Sequence, residues 1–220
     1  LYDGVESDRN YQVGTDRNVV LMLDEGDPAI IGAVASVAQR EAVALDGSPA
    51  EALDDALVGA WMAKRNDVSQ LEPLIEGGLV VDTMEVSGPW SALAGAYESA
   101  VAAMLEVPGC LAASAHASHS YLDGACLYFT FAGKPLQDTL ESKAELHRGM
   151  WSAGQAATIE AGCAVSHHHG IGLHRGEWLR RAMGPAHDVL VSLKEALDPN
   201  GILNPAKLGL SSPFGASDLP

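Results

Sequence analysis

The chain has 220 residues, 47% of them hydrophobic and 19% charged, with a formal net charge of −16. A chain of this length buries roughly 70% of its unfolded surface, enough for one substantial domain or two small ones. The acidic balance excludes nucleic acid as a partner and disfavours adhesion to anionic lipid. Three cysteines without CxxC spacing and no apolar run near ~20 residues predict a soluble cytoplasmic protein. Peripheral membrane contact stays open, and a homodimer is one option because dimers are the commonest assemblies.

The first 70 residues read as alternating short strands and helices. Asp27-Pro28 favours a helix start, with Asp as the N-cap and Pro at the first helical position. We expect strands over 19–24 and 43–45, and a second helix from Ser48-Pro49 through Trp61. The opening at Leu1-Tyr2-Asp3 suggests that the chain is part of a longer protein.

The middle of the chain predicts a β-α-β-β-α-β unit. Strands are expected over 79–86, 111–118, 125–131 and 163–166, and helices from Ser87-Gly88-Pro89 and from Gly133-Lys134-Pro135 to about Ala161. This order is that of a ferredoxin-like fold, in which the helices pack on one face of an antiparallel sheet. The fold class is therefore α+β, and the other face of the sheet is free to cover a ligand.

Alternation in the strand over 125–131 assigns its side chains to two faces. Three residues should form the core against the helices: Leu127, Phe129 and Phe131. Tyr128 then points away from the helices, where its hydroxyl is available as an acid or base.

A histidine run stands out near the C-terminus, at His167, His168 and His169. Consecutive imidazoles are costly to bury, because each ring nitrogen needs a partner away from water. A metal site, an exposed polar loop and a cluster that handles charge or protons are all open, and the third is favoured. We expect no metal, because His116 and His119 lie three apart in a strand and should face opposite sides.

The C-terminal part predicts a helical segment that follows the sheet. A helix over 177–197 should break at Gly184-Pro185, and a turn over 198–201 should follow. We divide the chain into a cap domain over 1–165, a C-terminal segment over 166–210 and a flexible tail over 211–220.

Three stretches together resemble the C-terminal half of FAD-linked oxidases of the vanillyl-alcohol oxidase superfamily. These are the histidine run with its glycines (166–172), the stretch Asp-Gly-Ala-Cys-Leu-Tyr-Phe (123–129) and the closing motif over 197–207. Within that superfamily the chain resembles the alkylglycerone-phosphate synthase family, because relatives that oxidise lactate or glycolate usually carry Glu-His-Gly at the histidine run.

The resemblance implies an enzyme that exchanges the acyl chain of acyl-dihydroxyacetone phosphate for a fatty alcohol, a step of ether lipid synthesis. It implies that FAD is held mainly by an N-terminal domain absent from this chain, and that the substrate is lipid-like. It assigns the substrate proton to Tyr128, a catalytic role to His167, His168 and His169, the leaving carboxylate to Arg65, and cofactor contacts to His169 and Asn204.

Two other functions remain open. One is an FAD-dependent dehydrogenase or oxidase of a 2-hydroxy acid or other alcohol, since a fold does not fix a reaction. The other is a non-catalytic ferredoxin-like module that binds a ligand. We expect the isolated chain to bind FAD poorly and to lack activity.

Overall fold

The computed structural model describes residues 25–46, 54–64 and 69–215. The chain forms two compact units, residues 1–70 and 71–220. No helix in the described ranges is long and apolar enough to cross a membrane. The three-part division at residues 165 and 210 stays a prediction.

The first unit contributes two described helices, α1 (Pro28–Asp46) and α2 (Ala56–Lys64). The expected N-cap of α1 is confirmed, because the Asp27 carboxylate accepts the Ala29 N–H at 2.8 Å. The expected strand over 43–45 is wrong, since α1 continues through it. The strand over 19–24 and the start at Ser48-Pro49 lie outside the described residues, but the single helix expected from there through Trp61 is wrong, because α2 begins only at Ala56.

The second unit is built on a three-stranded antiparallel sheet. After a 3-10 turn (Ser69–Leu71) and the short α3 (Glu72–Glu76), the elements are β1 (Val80–Pro89), α4 (Trp90–Leu105), β2 (Cys110–Ser120), β3 (Gly124–Gly133) and α5 (Leu140–Glu160). The order in the sheet is β1-β3-β2. The predicted α+β class is thereby confirmed.

One face of this sheet forms the core with α4 and α5. The predicted core residues of β3 are all buried, and they are joined by Met84 and Val86 from β1. The helices add Ala96, Ala100 and Met104 from α4 and Leu146, Met150 and Trp151 from α5. Apolar burial at about 25 cal/mol per Å² makes this layer the main stabilising element of the unit. The opposite face of the sheet carries polar side chains.

The fourth strand expected over 163–166 is wrong. Only an isolated antiparallel bridge forms there, between Ser87 and Ala164, beside the edge strand β1. The chain lies where a fourth strand of a ferredoxin-like sheet would lie, but His168 and Gly170 have positive φ (58° and 69°). The N–H groups of Ala164 and His167 still donate to carbonyls of β1, but positive φ is incompatible with extended pairing, so the pairing goes no further and the chain becomes a loop.

Two further helix boundaries can be compared with the sequence prediction. α5 begins at Leu140 and not at Gly133-Lys134-Pro135, because the Thr139 hydroxyl accepts the Ser142 N–H at 3.2 Å and fixes the N-terminus. The expected break at Gly184-Pro185 is confirmed, with α6 (Gly176–Met183) before it and α7 (Ala186–Leu197) after it.

The closing motif has a structural role in this unit. The Asp198 carboxylate accepts the N–H groups of Ile202 and Leu203 and pairs with Lys194. The chain then returns through a short 3-10 helix (Lys207–Gly209), where the Leu208 N–H donates to the Gly172 carbonyl at 3.0 Å. The segment is thus fastened to the start of α6.

Substitution of Gly124 tests the tight end of the β1–β3 ladder, where its backbone lies against Gly88. A Cβ at Gly124 would lie 2.1 Å from the Gly88 carbonyl oxygen, which is backbone and cannot turn away. We expect Gly124→Ala to destabilise the protein by about 1–3 kcal/mol through overpacking. Gly95→Ala makes the same change inside α4, where a Cβ meets nothing within 4 Å, and should stabilise by about 0.5–1 kcal/mol. Urea titration of both variants measures the difference, and equal effects would contradict the close approach.

Candidate functional site

The open face of the sheet carries a row of three polar side chains from three strands. Glu85 on β1 is directly opposite Tyr128 on β3, and Tyr128 is directly opposite His116 on β2. The His116 ring stacks on the Tyr128 ring with centroids 5.2 Å apart, and the Tyr128 hydroxyl donates to Thr83 Oγ1 at 3.0 Å. The predicted outward direction of Tyr128 is therefore confirmed.

A β-bulge brings a further histidine into this row. The β2–β3 register shifts between Ala117 and Ser120, so the alternation of side chains is interrupted. His119 therefore shares a face with His116, and its Nδ1 lies 3.6 Å from Glu85 Oε1. The expectation that the two histidines face opposite sides is wrong for this reason.

The loop after α5 places the histidine run over the same face. His167 Nδ1 lies 3.8 Å from Glu85 Oε1, and His169 Nε2 lies 3.4 Å from Glu85 Oε2. His169 also meets the Tyr128 ring edge to face, with centroids 5.5 Å apart. His168, at positive φ, points elsewhere and packs its ring on those of His119 and His167. The structure thus gathers all three predicted histidines with Tyr128.

The residue at the centre of this cluster is a buried carboxylate. The Glu85 side chain is only 3% exposed, and its Oε1 accepts a hydrogen bond from Ser118 Oγ. Sequence reasoning missed both residues. The available signal was a glutamate in a predicted strand, on the alternation face that Thr83 shares.

Four of these residues can hold a metal ion. The donor atoms of Glu85, His119, Cys126 and His167 all lie within 4.8 Å of one another. His167 Nδ1 is buried and has no hydrogen-bond partner, while its Nε2 lies 3.1 Å from the Tyr121 hydroxyl. An N, N, O, S donor set is of the kind that zinc accepts. The expectation of no metal stays untested.

Burial and the Glu85 carboxylate shift the pKa values of two neighbouring groups, His116 and Cys126. Burial lowers the pKa of His116, and the nearby Glu85 charge opposes that shift. Burial raises the pKa of the Cys126 thiol, and Glu85 raises it further. The site therefore favours a neutral imidazole at His116 and a protonated thiol at Cys126.

A second polar cluster fixes the far end of the histidine loop. The Asp82 carboxylate accepts hydrogen bonds from His147 Nε2 and Trp151 Nε1, both at 2.7 Å. Arg175 lies over the Trp151 ring, 4.8 Å from its centroid, and His174 meets the same ring edge to face. An Arg175 N–H donates to the Gly170 carbonyl at 3.3 Å. The loop is thus held at one end by Glu85 and at the other by α5.

Two predicted site residues do not join the cluster. Arg65 lies outside the described residues. Asn204 is exposed in the C-terminal segment with φ 45°. Within residues 69–215, no hydrogen bond or ring contact links Asn204 to the histidines.

Residues 22–208 match the family described as FAD linked oxidases, C-terminal domain. The chain is 30% identical over 215 residues to an uncharacterised FAD-linked oxidoreductase, YgcU, of Escherichia coli (strain K12), an alignment that covers 93% of the chain and 44% of that protein. It is 31% identical over 157 residues to alkyldihydroxyacetonephosphate synthase of Dictyostelium discoideum, covering 67% of the chain and 25% of the synthase. The same enzyme of Trypanosoma brucei brucei is 34% identical over 106 residues, or 48% of the chain and 17% of the synthase.

The fold is that of an α+β domain, and the chain belongs to the FAD-linked oxidase C-terminal domain family. The predicted resemblance is confirmed, and FAD is the cofactor that this family implies. The chain spans less than half the length of the curated relatives named above.

The Asp82 cluster gives a prediction for stability against pH. Burial alone would raise the pKa of Asp82, but hydrogen bonds from His147, Trp151 and the Thr83 N–H together hold it below its ordinary value of 3.8. A depressed carboxyl pKa stabilises the fold above the unfolded value, and this contribution is lost as pH falls through the folded value. Asp82→Asn should therefore cost about 1 kcal/mol at neutral pH, and the gap from wild type should close below pH 3.8.

Asp138→Asn is the matched control for this experiment, since Asp138 is 85% exposed and pairs with Lys143 at the surface. Exposed pairs contribute little to stability, because water and salt screen them. Urea titrations of both variants at several pH values make the comparison. A gap for Asp82→Asn that persists at low pH would contradict the role of its charge.

Proposed function

We propose that the full-length protein is an FAD-dependent alkyltransferase of the alkylglycerone-phosphate synthase type. It would replace the acyl chain of acyl-dihydroxyacetone phosphate by a fatty alcohol and release the fatty acid, with no net oxidation. The observation that carries the proposal is the convergence of Tyr128, His167 and His169 on the sheet face that α4 and α5 leave uncovered. The synthases of Dictyostelium and Trypanosoma add support through their identity with this chain.

Tyr128 takes the substrate proton in this proposal. Its hydroxyl already donates to Thr83 Oγ1, and imidazole rings lie on two of its sides. A phenol acts as a base once it has passed its proton to a neighbouring group, because hydrogen bonds to its oxygen stabilise the oxyanion. Tyr128 is half-buried, so water competes weakly for its oxygen.

The histidines supply charge and protons beside Tyr128. His169 is about one-third exposed and contacts Tyr128, so it can reach a ligand placed over the face. His167 is held between Glu85 and the Tyr121 hydroxyl. His168 packs on its neighbours and supports their rings.

The open face fits a bound flavin and its substrate. It offers the exposed imidazoles of His168 and His169. FAD, when bound, supplies the ring that activates the substrate carbon, and an N-terminal FAD-binding domain would hold most of the cofactor. His169 and Asn204 remain proposed cofactor contacts. Arg65 remains the proposed partner of the leaving carboxylate, because a guanidinium binds a carboxylate through two hydrogen bonds.

A second function is favoured by one observation. The FAD-linked oxidoreductase YgcU of Escherichia coli aligns with 93% of the chain, a larger share than the synthases do. We therefore keep an FAD-dependent dehydrogenase of a 2-hydroxy acid or other alcohol as the alternative, with a histidine as base. We also propose a cytoplasmic location, which the three free cysteines support.

The first experiment follows alkyl transfer directly. The full-length protein is incubated with acyl-dihydroxyacetone phosphate and labelled hexadecanol, without any electron acceptor, and label is followed into ether lipid. We expect incorporation, and we expect Tyr128→Phe to reduce it by about 100-fold or more, because the base is removed. Tyr97→Phe makes the same change on α4, at the edge of the core, and should leave the rate unchanged.

Two results would contradict the proposal. Incorporation that survives Tyr128→Phe would remove this tyrosine from the reaction. No incorporation by wild type, together with flavin reduction by a 2-hydroxy acid, would move the protein to the dehydrogenase class.

Because the proposed N-terminal domain would hold most of the FAD, a separate prediction concerns the isolated chain. We expect the isolated chain to bind FAD poorly and to have no activity, since the proposed cofactor contacts here are His169 and Asn204 alone. Absorbance at flavin wavelengths after gel filtration measures this. Stoichiometric flavin in a sample verified to contain only these residues would contradict the prediction.

A further inference from the structure

We propose that Glu85 is the positioning residue of the imidazole cluster: its buried carboxylate holds His119, His167 and His169 in place beside Tyr128. The inference deepens the proposed function and rests on it only where Tyr128 and the histidines act on substrate. Glu85 itself is not expected to touch the substrate.

The first step of the argument is burial. The Glu85 side chain is 3% exposed, and an isolated carboxylate at such a site is strongly disfavoured unless opposite charge or hydrogen bonds compensate it. Ser118 supplies one neutral hydrogen bond. Within the described residues, every ion pair of Glu85 involves an imidazole and none involves Lys or Arg. The imidazoles of His119, His167 and His169 are therefore the groups that face this carboxylate besides Ser118.

The second step is geometry. Glu85 holds the histidine loop at two points, since its carbonyl oxygen accepts the His167 N–H at 3.3 Å while its carboxylate faces the rings of His167 and His169. Oε1 faces His119 and His167, and Oε2 faces His169. One carboxylate thus joins side chains from β2 and from the loop.

The third step is the direction of the rings. His169 lies between Glu85 and Tyr128, with its Nε2 toward the carboxylate and its ring edge to face with the phenol. Because Glu85 and Tyr128 are directly opposite in the sheet, a ring drawn toward Glu85 is also held beside Tyr128. Without the charge, His169 can turn outward, since it is already about one-third exposed.

Histidine modification in the full-length holoenzyme tests this without any substrate. Diethyl pyrocarbonate labels neutral, accessible imidazoles, and mass spectrometry resolves the sites. In Glu85→Gln we expect labelling of His119 and of the 167–169 stretch to rise about tenfold, because the electrostatic contacts that hold these rings near the carboxylate are lost. His147, bound to Asp82, and His187, close to the Leu208 carbonyl, should not change.

Three further variants separate charge from shape. Glu85→Asp keeps the charge and should restore part of the protection, whereas Ser118→Ala removes only the neutral hydrogen bond and should raise labelling less than Glu85→Gln. If Glu85→Gln does not fold, the other two still give this ranking against wild type. Glu98→Gln makes the same change at an exposed site on α4 and should have no effect.

Kinetic measurements then test whether the position of the imidazole rings affects the reaction. On whichever reaction the wild type performs, alkyl transfer or hydroxy acid oxidation, Glu85→Gln should lower kcat by about tenfold to 100-fold. KM should change less than kcat, the flavin spectrum should not change, and Glu85→Asp should recover part of the rate. If the wild type shows no alkyl transfer, the proposed function is refuted, but the labelling test of Glu85 still applies.

Several outcomes would overturn the role of Glu85. One is unchanged labelling of His119 and residues 167–169 in Glu85→Gln. Another is a rise at His147 and His187 as well, which would show general loosening. A third is an unchanged kcat despite altered labelling, which would separate the position of the rings from the reaction.

Discussion

The burial of one carboxylate, Glu85, sets the constraint on which the functional face depends. A charge in this position requires compensation that water cannot provide. The compensation comes from side chains that are distant in sequence, on β2 and on the loop after α5. Folding the sheet therefore also assembles the histidine cluster, because the cluster is what makes the buried charge tolerable.

The two faces of the sheet differ in composition and in role. The helix-facing side is an apolar layer of aromatic and sulphur-containing side chains, such as Phe129 and Met84, and it keeps β1 and β3 rigid. Rigid strands fix the spacing between Glu85 and Tyr128, so the imidazoles meet the phenol in one arrangement. The Asp82 cluster extends this rigidity around the edge of β1 to the end of the histidine loop.

The proposed chemistry follows from that arrangement. A phenol between imidazoles, beside a buried carboxylate, is placed to exchange a proton with a ligand over this face. Family membership identifies FAD as the cofactor, while both candidate reactions use the same proton-handling face. The reaction therefore depends on which substrate the complete protein admits.

The sequence by itself determined the α+β class, the core face of β3, the outward direction of Tyr128 and the break at Gly184-Pro185, because each depends on local periodicity or on backbone chemistry. It also showed the histidine run. Only the tertiary structure decided that a bulge turns His119 onto the site, that positive φ at His168 ends the expected fourth strand, and that Glu85 is buried among imidazoles. The bulge depends on pairing with the neighbouring strand, and Glu85 meets side chains more than 30 residues away, such as Ser118 and His169, so no local pattern encodes either.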